Sequence, residues 1–250
     1  MNNPKQNFFL TKNNQKIHYK FINNKSLTTI IFLHGLMSNI KSKKAKHLKK
    51  FANENKINLL LFEYSGHGRS SGKFTDLSIK NWVEDSRSII KKLINKNKIV
   101  LIGSSMGAWI AILLIKYFYK RIKGFIAIAP APDFTEELIW KKLNDIEKSK
   151  IKKNKIYKLK SSHNDFYPIT KKFIFDGKKI LVLNKKINCS FPVELLHGIK
   201  DSSVSWVYSI KLIKTLISKK LSLTFIDDGD HSLSRAQDLK KLDLAIKNII

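Results

Sequence analysis

Arginine is scarce in this chain. Of 48 lysines and arginines in 250 residues, only Arg69, Arg87, Arg121 and Arg235 are arginine, so the formal net charge of +29 is carried by lysine. The lysines are scattered over nearly every segment and accompany abundant asparagine and isoleucine, three residue types that share A/T-rich codons. Arginine is the preferred reader of bases and phosphates, so a specific nucleic-acid partner is not expected. Weak attraction to polyanions or anionic membranes follows from the field alone. Cysteine is nearly absent. The single Cys189 excludes an internal disulfide framework and fits a reducing compartment, so a cytoplasmic location is expected. Long apolar runs are missing too: lysines interrupt every stretch well short of a membrane span, and no transmembrane segment is expected. The start, Met1 to Asn7, has no apolar run behind a basic segment, so no signal peptide is expected. The histidines lack H-x-x-x-H spacing, and no G-x-G-x-x-G follows the first strand. No metal and no nucleotide cofactor are expected.

The residues that are present suit one α/β domain over 1–250. The apolar fraction is 43%, with ten glycines and five prolines. Asn7 to Thr11 and Lys16 to Ile22 read as a first hairpin. Leu27 to Leu33, Ile57 to Tyr64, Lys98 to Ile102, Gly124 to Ala129, Phe191 to Leu196 and Leu221 to Ile226 read as further strands, eight in all. Helical spacing marks Lys41 to Lys56, Ile79 to Ile94, Ala108 to about Tyr119, Val204 to Ile217 and Ala236 to Ile250. This alternation predicts a mostly parallel eight-stranded sheet with helices on both faces. Residues 135–190 break the rhythm with a helical Glu136 to Trp140 segment and a highly basic Lys148 to Lys160. They read as a small lid inserted over the sheet's C-terminal edge.

Gly103-Ser104-Ser105-Met106-Gly107 has the form G-x-S-x-G between a buried-type strand and an apolar helix. That context predicts a nucleophile elbow with Ser105 at its apex. Gly103 and Gly107 would let strand and helix approach closely while the serine sits in a strained turn. A serine hydroxyl needs a base, and the base needs an orienting acid, in the chain order Ser, Asp or Glu, His. His18, His34, His47 and His67 precede Ser105. His163 falls in the lid segment and His197 in a strand's last residues. His231, in Asp227-Asp228-Gly229-Asp230-His231-Ser232 after the last strand, is the candidate base. Asp201, after the penultimate strand, is the candidate acid; Asp133, after the preceding strand, is the alternative, and Asp230 is expected to shape the His231 loop. Backbone N–H groups of Met106 and Leu36, with Met37 second, are the candidate oxyanion donors. His34 is expected to shape the Leu36 loop rather than act as a base.

Leu33-His34-Gly35, Tyr64-Ser65-Gly66-His67-Gly68-Arg69-Ser70, the elbow, the His197-Gly198 to Asp201 loop and His231 together resemble the α/β-hydrolase superfamily along essentially the whole chain. Ile128 to Trp140, the Gly103 to Trp109 elbow and Asp228 to Ser234 are similar to its branch of mitochondrial palmitoyl-protein thioesterases, also described as acyl-glucuronide esterases, and their bacterial relatives. The resemblance implies the triad Ser105, Asp201 and His231 and cleavage of acyl thioesters or esters, an acylated protein among the candidate substrates. A carboxylesterase for small esters or acyl glucuronides is the alternative it leaves open. A catalytically silent binding protein on the same fold is a further one.

Overall fold

Successive residues of the central strands point to opposite sides, and both sides are apolar. Along Thr28–Leu33, Ile31 and Leu33 join one core while Ile30 and Phe32 join the other; Leu101 and Ile102 divide in the same way along Lys98–Ser104. Strands that bury both faces need helices on both. The computed structural model, which describes residues 7–160 and 166–250, has that architecture. Its sheet comprises β1 (Asn7–Leu10), β2 (Lys16–Ile22), β3 (Thr28–Leu33), β4 (Asn58–Phe62), β5 (Lys98–Ser104) and β6 (Ile122–Ile128), then β10 (Val193–Gly198) and β12 (Leu221–Ile226). The eight strands lie in the order β1-β2-β4-β3-β5-β6-β10-β12. The β1–β2 and β2–β4 pairs are antiparallel and the others parallel.

Helix α1 (Lys43–Glu54) buries Ala45, Leu48, Phe51 and Ala52, and Ser42 accepts the Ala45 N–H at its start. It shares one core with α7 (Ala236–Lys247), through Leu242, Ala245 and Ile246. Helices α2 (Ile79–Leu93) and α3 (Met106–Phe118) cover the opposite face. Helix α3 is apolar all round and almost wholly buried, as a helix at the centre of a doubly covered sheet must be.

Between β6 and β10 the chain forms a π-helical turn at Thr135–Ile139, then α4 (Asp145–Lys152), the antiparallel pair β7 (Tyr157–Lys160) and β8 (Phe166–Ile169), and α5 (Lys171–Lys178). A short β9 (Ile187–Asn188) pairs in parallel with β11 (Leu216–Ile217), which follows α6 (Val207–Thr215). Leu216 and Ile217, expected to end a helix, are therefore extended. Phe173 of α5 packs on Phe74, Trp82 and Phe134, so this segment is seated on α2.

Candidate active site

The elbow follows from two close approaches. A Cβ on Gly107 would stand 1.9 Å from the Leu33 carbonyl oxygen, and one on Gly103 would stand 2.5 Å from Ala108 Cα. No side chain fits at either position, so α3 runs directly against β3 and β5. Between them Ser105 takes φ 54°, ψ −119°, a conformation that a non-glycine residue rarely holds. Its N–H donates to the Ile128 carbonyl, 2.9 Å away on β6. Ser105 thus stands at the C-terminal end of β5 and the start of α3, in a strained turn of the kind found at functional sites.

Two loops reach that point. The loop after β10 carries Asp201 and the loop after β12 carries His231, and the two are stitched together where Lys200 N–H donates to the Gly229 carbonyl at 3.0 Å. His231 Nε2 lies 3.0 Å from Ser105 Oγ, and Nδ1 lies 2.7 Å from Asp201 Oδ2. The Asp201 side chain is 1% exposed and that of His231 29%. Burial alone would raise the Asp201 pKa; hydrogen bonds from His197, His231 and the Val204 N–H outweigh it and hold the carboxyl well below its ordinary range. The carboxylate is therefore ionised and can only accept, which puts the hydrogen of His231 on Nδ1 and leaves Nε2 free to accept from Ser105.

Asp201 is itself held on all sides. Its Oδ1 accepts the N–H groups of Ser203 (2.9 Å) and Val204 (2.8 Å). Its Oδ2 also faces Nε2 of the fully buried His197 at 3.2 Å. That nitrogen donates as well to the Val204 carbonyl at 2.9 Å, and Nδ1 meets Ser209 Oγ at 2.7 Å. His197, which the sequence places in a strand's last residues, belongs to this site as a holder of the acid. It stands outside the base role, yet the spacing H-G-x-x-D, with the histidine four residues before the acid, was the available signal.

The other candidates have different partners. Asp133 accepts from the Val182 and Leu183 N–H groups at 2.9–3.0 Å and so ties the two ends of the segment between β6 and β10 together. Asp230 accepts the Leu233 N–H at 2.9 Å within its own loop. His34 Nδ1 donates to the Gly35 carbonyl at 2.8 Å, and its ring packs tilted against Tyr64. Burial, reinforced by the neighbouring His67, pushes the pKa of His34 down to about 3, so it is neutral near pH 7. His18 faces Glu63 and His47 faces Asp243. His163 lies outside the described residues.

The loop holding Leu36 borders the elbow: a Cβ on Gly35 would stand 3.5 Å from Ser105 Cβ. Met37 adopts φ 54°, and Ser38 N–H donates back to Gly35 at 3.2 Å, which closes a tight turn there. Met106 opens α3, where the first N–H groups of a helix have no partner within it. Among the described residues no cluster of three His, Cys, Asp or Glu side chains could hold a metal ion, and no helix is long and apolar enough to cross a membrane.

A family model described as serine aminopeptidase, S33 matches residues 24–172. The chain belongs to this α/β-hydrolase family. A solved structure of an Agrobacterium vitis S4 protein, described as a hydrolase, is 31% identical and superposes with a TM-score of 0.93, covering 98% of each chain. Alpha/beta hydrolase domain-containing protein 10 from mouse is 25% identical with a TM-score of 0.88 over 98% of this chain and 97% of its own. The rat mitochondrial palmitoyl-protein thioesterase ABHD10 is 28% identical over 223 residues, 88% of this chain and 74% of the relative. As a member of this family, the chain is an enzyme of the hydrolase class.

Proposed function

We propose that this α/β-hydrolase cleaves long-chain acyl thioesters through an acyl-enzyme on Ser105, with acylated protein as the candidate substrate. The observation that carries the reading is His231, placed between Ser105 Oγ at 3.0 Å and Asp201 Oδ2 at 2.7 Å. Ser105 Oγ attacks the acyl carbonyl as its proton passes to His231 Nε2, and the C–O bond forms. Asp201 steadies the imidazolium, while the N–H groups of Leu36 and Met106 hold the oxyanion. Collapse breaks the C–S bond, and His231 returns the proton to the leaving thiolate. Water then gives its proton to His231 and attacks the acyl-enzyme; the carboxylic acid leaves and Ser105 recovers its proton.

Similarity to the rat thioesterase over most of this chain supports the thioester over the oxygen ester. Residues 135–190 serve in this reading as a lid, anchored by Asp133 and α5. Burial pushes the lone Cys189 thiol up to about 11, which leaves it outside this reaction. The deciding experiment compares turnover of palmitoyl and short-chain thioesters with their matched oxygen esters, with Ser105→Ala as control. Serine-dependent preference for the palmitoyl thioester is expected. Preference for short or glucuronide-like esters would assign the chain to carboxylesterases instead.

A further inference from the structure

Lysine is the commonest charge in this chain and belongs in water, its ammonium being costly to desolvate. Among the described residues one lysine is buried: Lys44, 9% exposed, in the first turn of α1. Its side chain crosses to the loop after β12. There Nζ donates to the Ser232 carbonyl and lies 3.2 Å from Ser234 Oγ, which donates to that same carbonyl at 2.9 Å. Between these serines Leu233 is buried and held at φ 42°, a left-handed conformation that a branched side chain disfavours. The Asp230 carboxylate holds the Leu233 N–H from the other side. His231 is the residue just before this pinned turn.

We propose that Lys44 is a positioning residue for His231: its ammonium clamps the strained turn at Leu233 from α1 and thereby fixes the imidazole against Ser105. The inference rests on the triad reading above. A surface lysine could bond a carbonyl at no cost, whereas this one is withdrawn from water to do so.

The groups facing Lys44 set its titration. Asp230 in the loop and Asp238 on α7 favour the ammonium. Asp238 is already paired with Arg235 at 2.7 Å, and Arg235 also binds Asp228. One turn along α1, His47 is paired with Asp243. Burial outweighs the two acids and pushes the Lys44 pKa down from 10.5 to about 8. Two opposite consequences follow. The clamp weakens as pH rises through about 8, so turnover should decline there. The buried ammonium also costs the fold stability below about 8, a cost that fades toward 10.5, so an apolar isostere should not lower stability.

The test compares wild type, Lys44→Met and Lys44→Ala. It reads thermal midpoint, kcat and KM on a soluble acyl thioester from pH 6 to 10, and the rate of Ser105 labelling by a fluorophosphonate. Lys44→Met should lower kcat and labelling at least tenfold at pH 7, with KM within twofold and the thermal midpoint kept or raised. Its profile should lack the decline near pH 8, and propylammonium should restore Lys44→Ala in a saturable way. Labelling and kcat within twofold of wild type, or a loss of activity that follows a fallen thermal midpoint, would overturn the clamp. Absence of Ser105 labelling in the wild type would instead strike the triad reading itself.

Discussion

His197 Nε2 faces Asp201 Oδ2 at 3.2 Å, the same carboxylate oxygen that receives His231 Nδ1 at 2.7 Å. The acid is therefore fixed by a second, fully buried imidazole as well as by two backbone N–H groups. Replacing His197 by Phe removes one charge-assisted donor and keeps the volume. A hydrogen bond to a charged group is worth about 1.5–3 kcal/mol, so kcat should fall by about tenfold to a hundredfold. Steady-state kinetics check this; an unchanged kcat would mean that the two N–H groups suffice to hold Asp201.

Asp201 and Asp133 separate by variant. Asp201→Asn keeps the shape but offers His231 Nδ1 an amide, which can leave the histidine in the wrong tautomer. A loss of about 10⁴-fold in kcat is the expected scale. Asp133→Asn sets an amide donor against the Val182 N–H. It should cost about 1–3 kcal/mol of stability and leave kcat nearly intact. Denaturant midpoints beside kcat for both variants make the comparison, and the opposite pattern would move the acid to Asp133.

The placement of the elbow, the two loops and the sheet was legible because each depends on local pattern: short continuous apolar runs along β3 to β6, G-x-S-x-G, and histidine after the last strand. Two contributors were not. His197 reads as one more strand residue unless its H-G-x-x-D spacing to Asp201 is followed, and only the fold shows the two side chains in contact. Lys44 carries no signal at all in a chain where lysine is everywhere, because its burial depends on α1 meeting a loop 188 residues away. The segment between β6 and β10 was legible as an interruption only. Its short strands lack the length and continuous apolar character that mark β3 or β5, and β9 and β11 are extended where they pair with each other.

Asp85 gives a pH signature independent of turnover. It is buried beneath Ser65, whose N–H and Oγ both donate to Oδ2, at 2.9 and 2.5 Å. Burial outweighs those bonds and raises its pKa from 3.8 to about 6. The folded chain thus binds this proton more tightly than the unfolded one, so stability from this group is present below about 3.8 and lost as pH rises through 6. Such a rise corresponds to about 3 kcal/mol. Asp85→Asn keeps an acceptor for Ser65 and should be more stable than wild type at pH 7, with the two converging toward pH 4. Urea midpoints between pH 4 and 8 read this, and equal midpoints at pH 7 would contradict it.

In the proposed reaction Ser105 carries the acyl group. The most direct measurement quenches the enzyme during turnover of a palmitoyl thioester and maps the acylated peptide by mass spectrometry, in wild type and in Ser105→Ala. One added palmitoyl group on Ser105 is expected in the wild type and none in the variant, whose turnover is lost. An acyl group on another residue, or Ser105→Ala turning over at the wild-type rate, would contradict it.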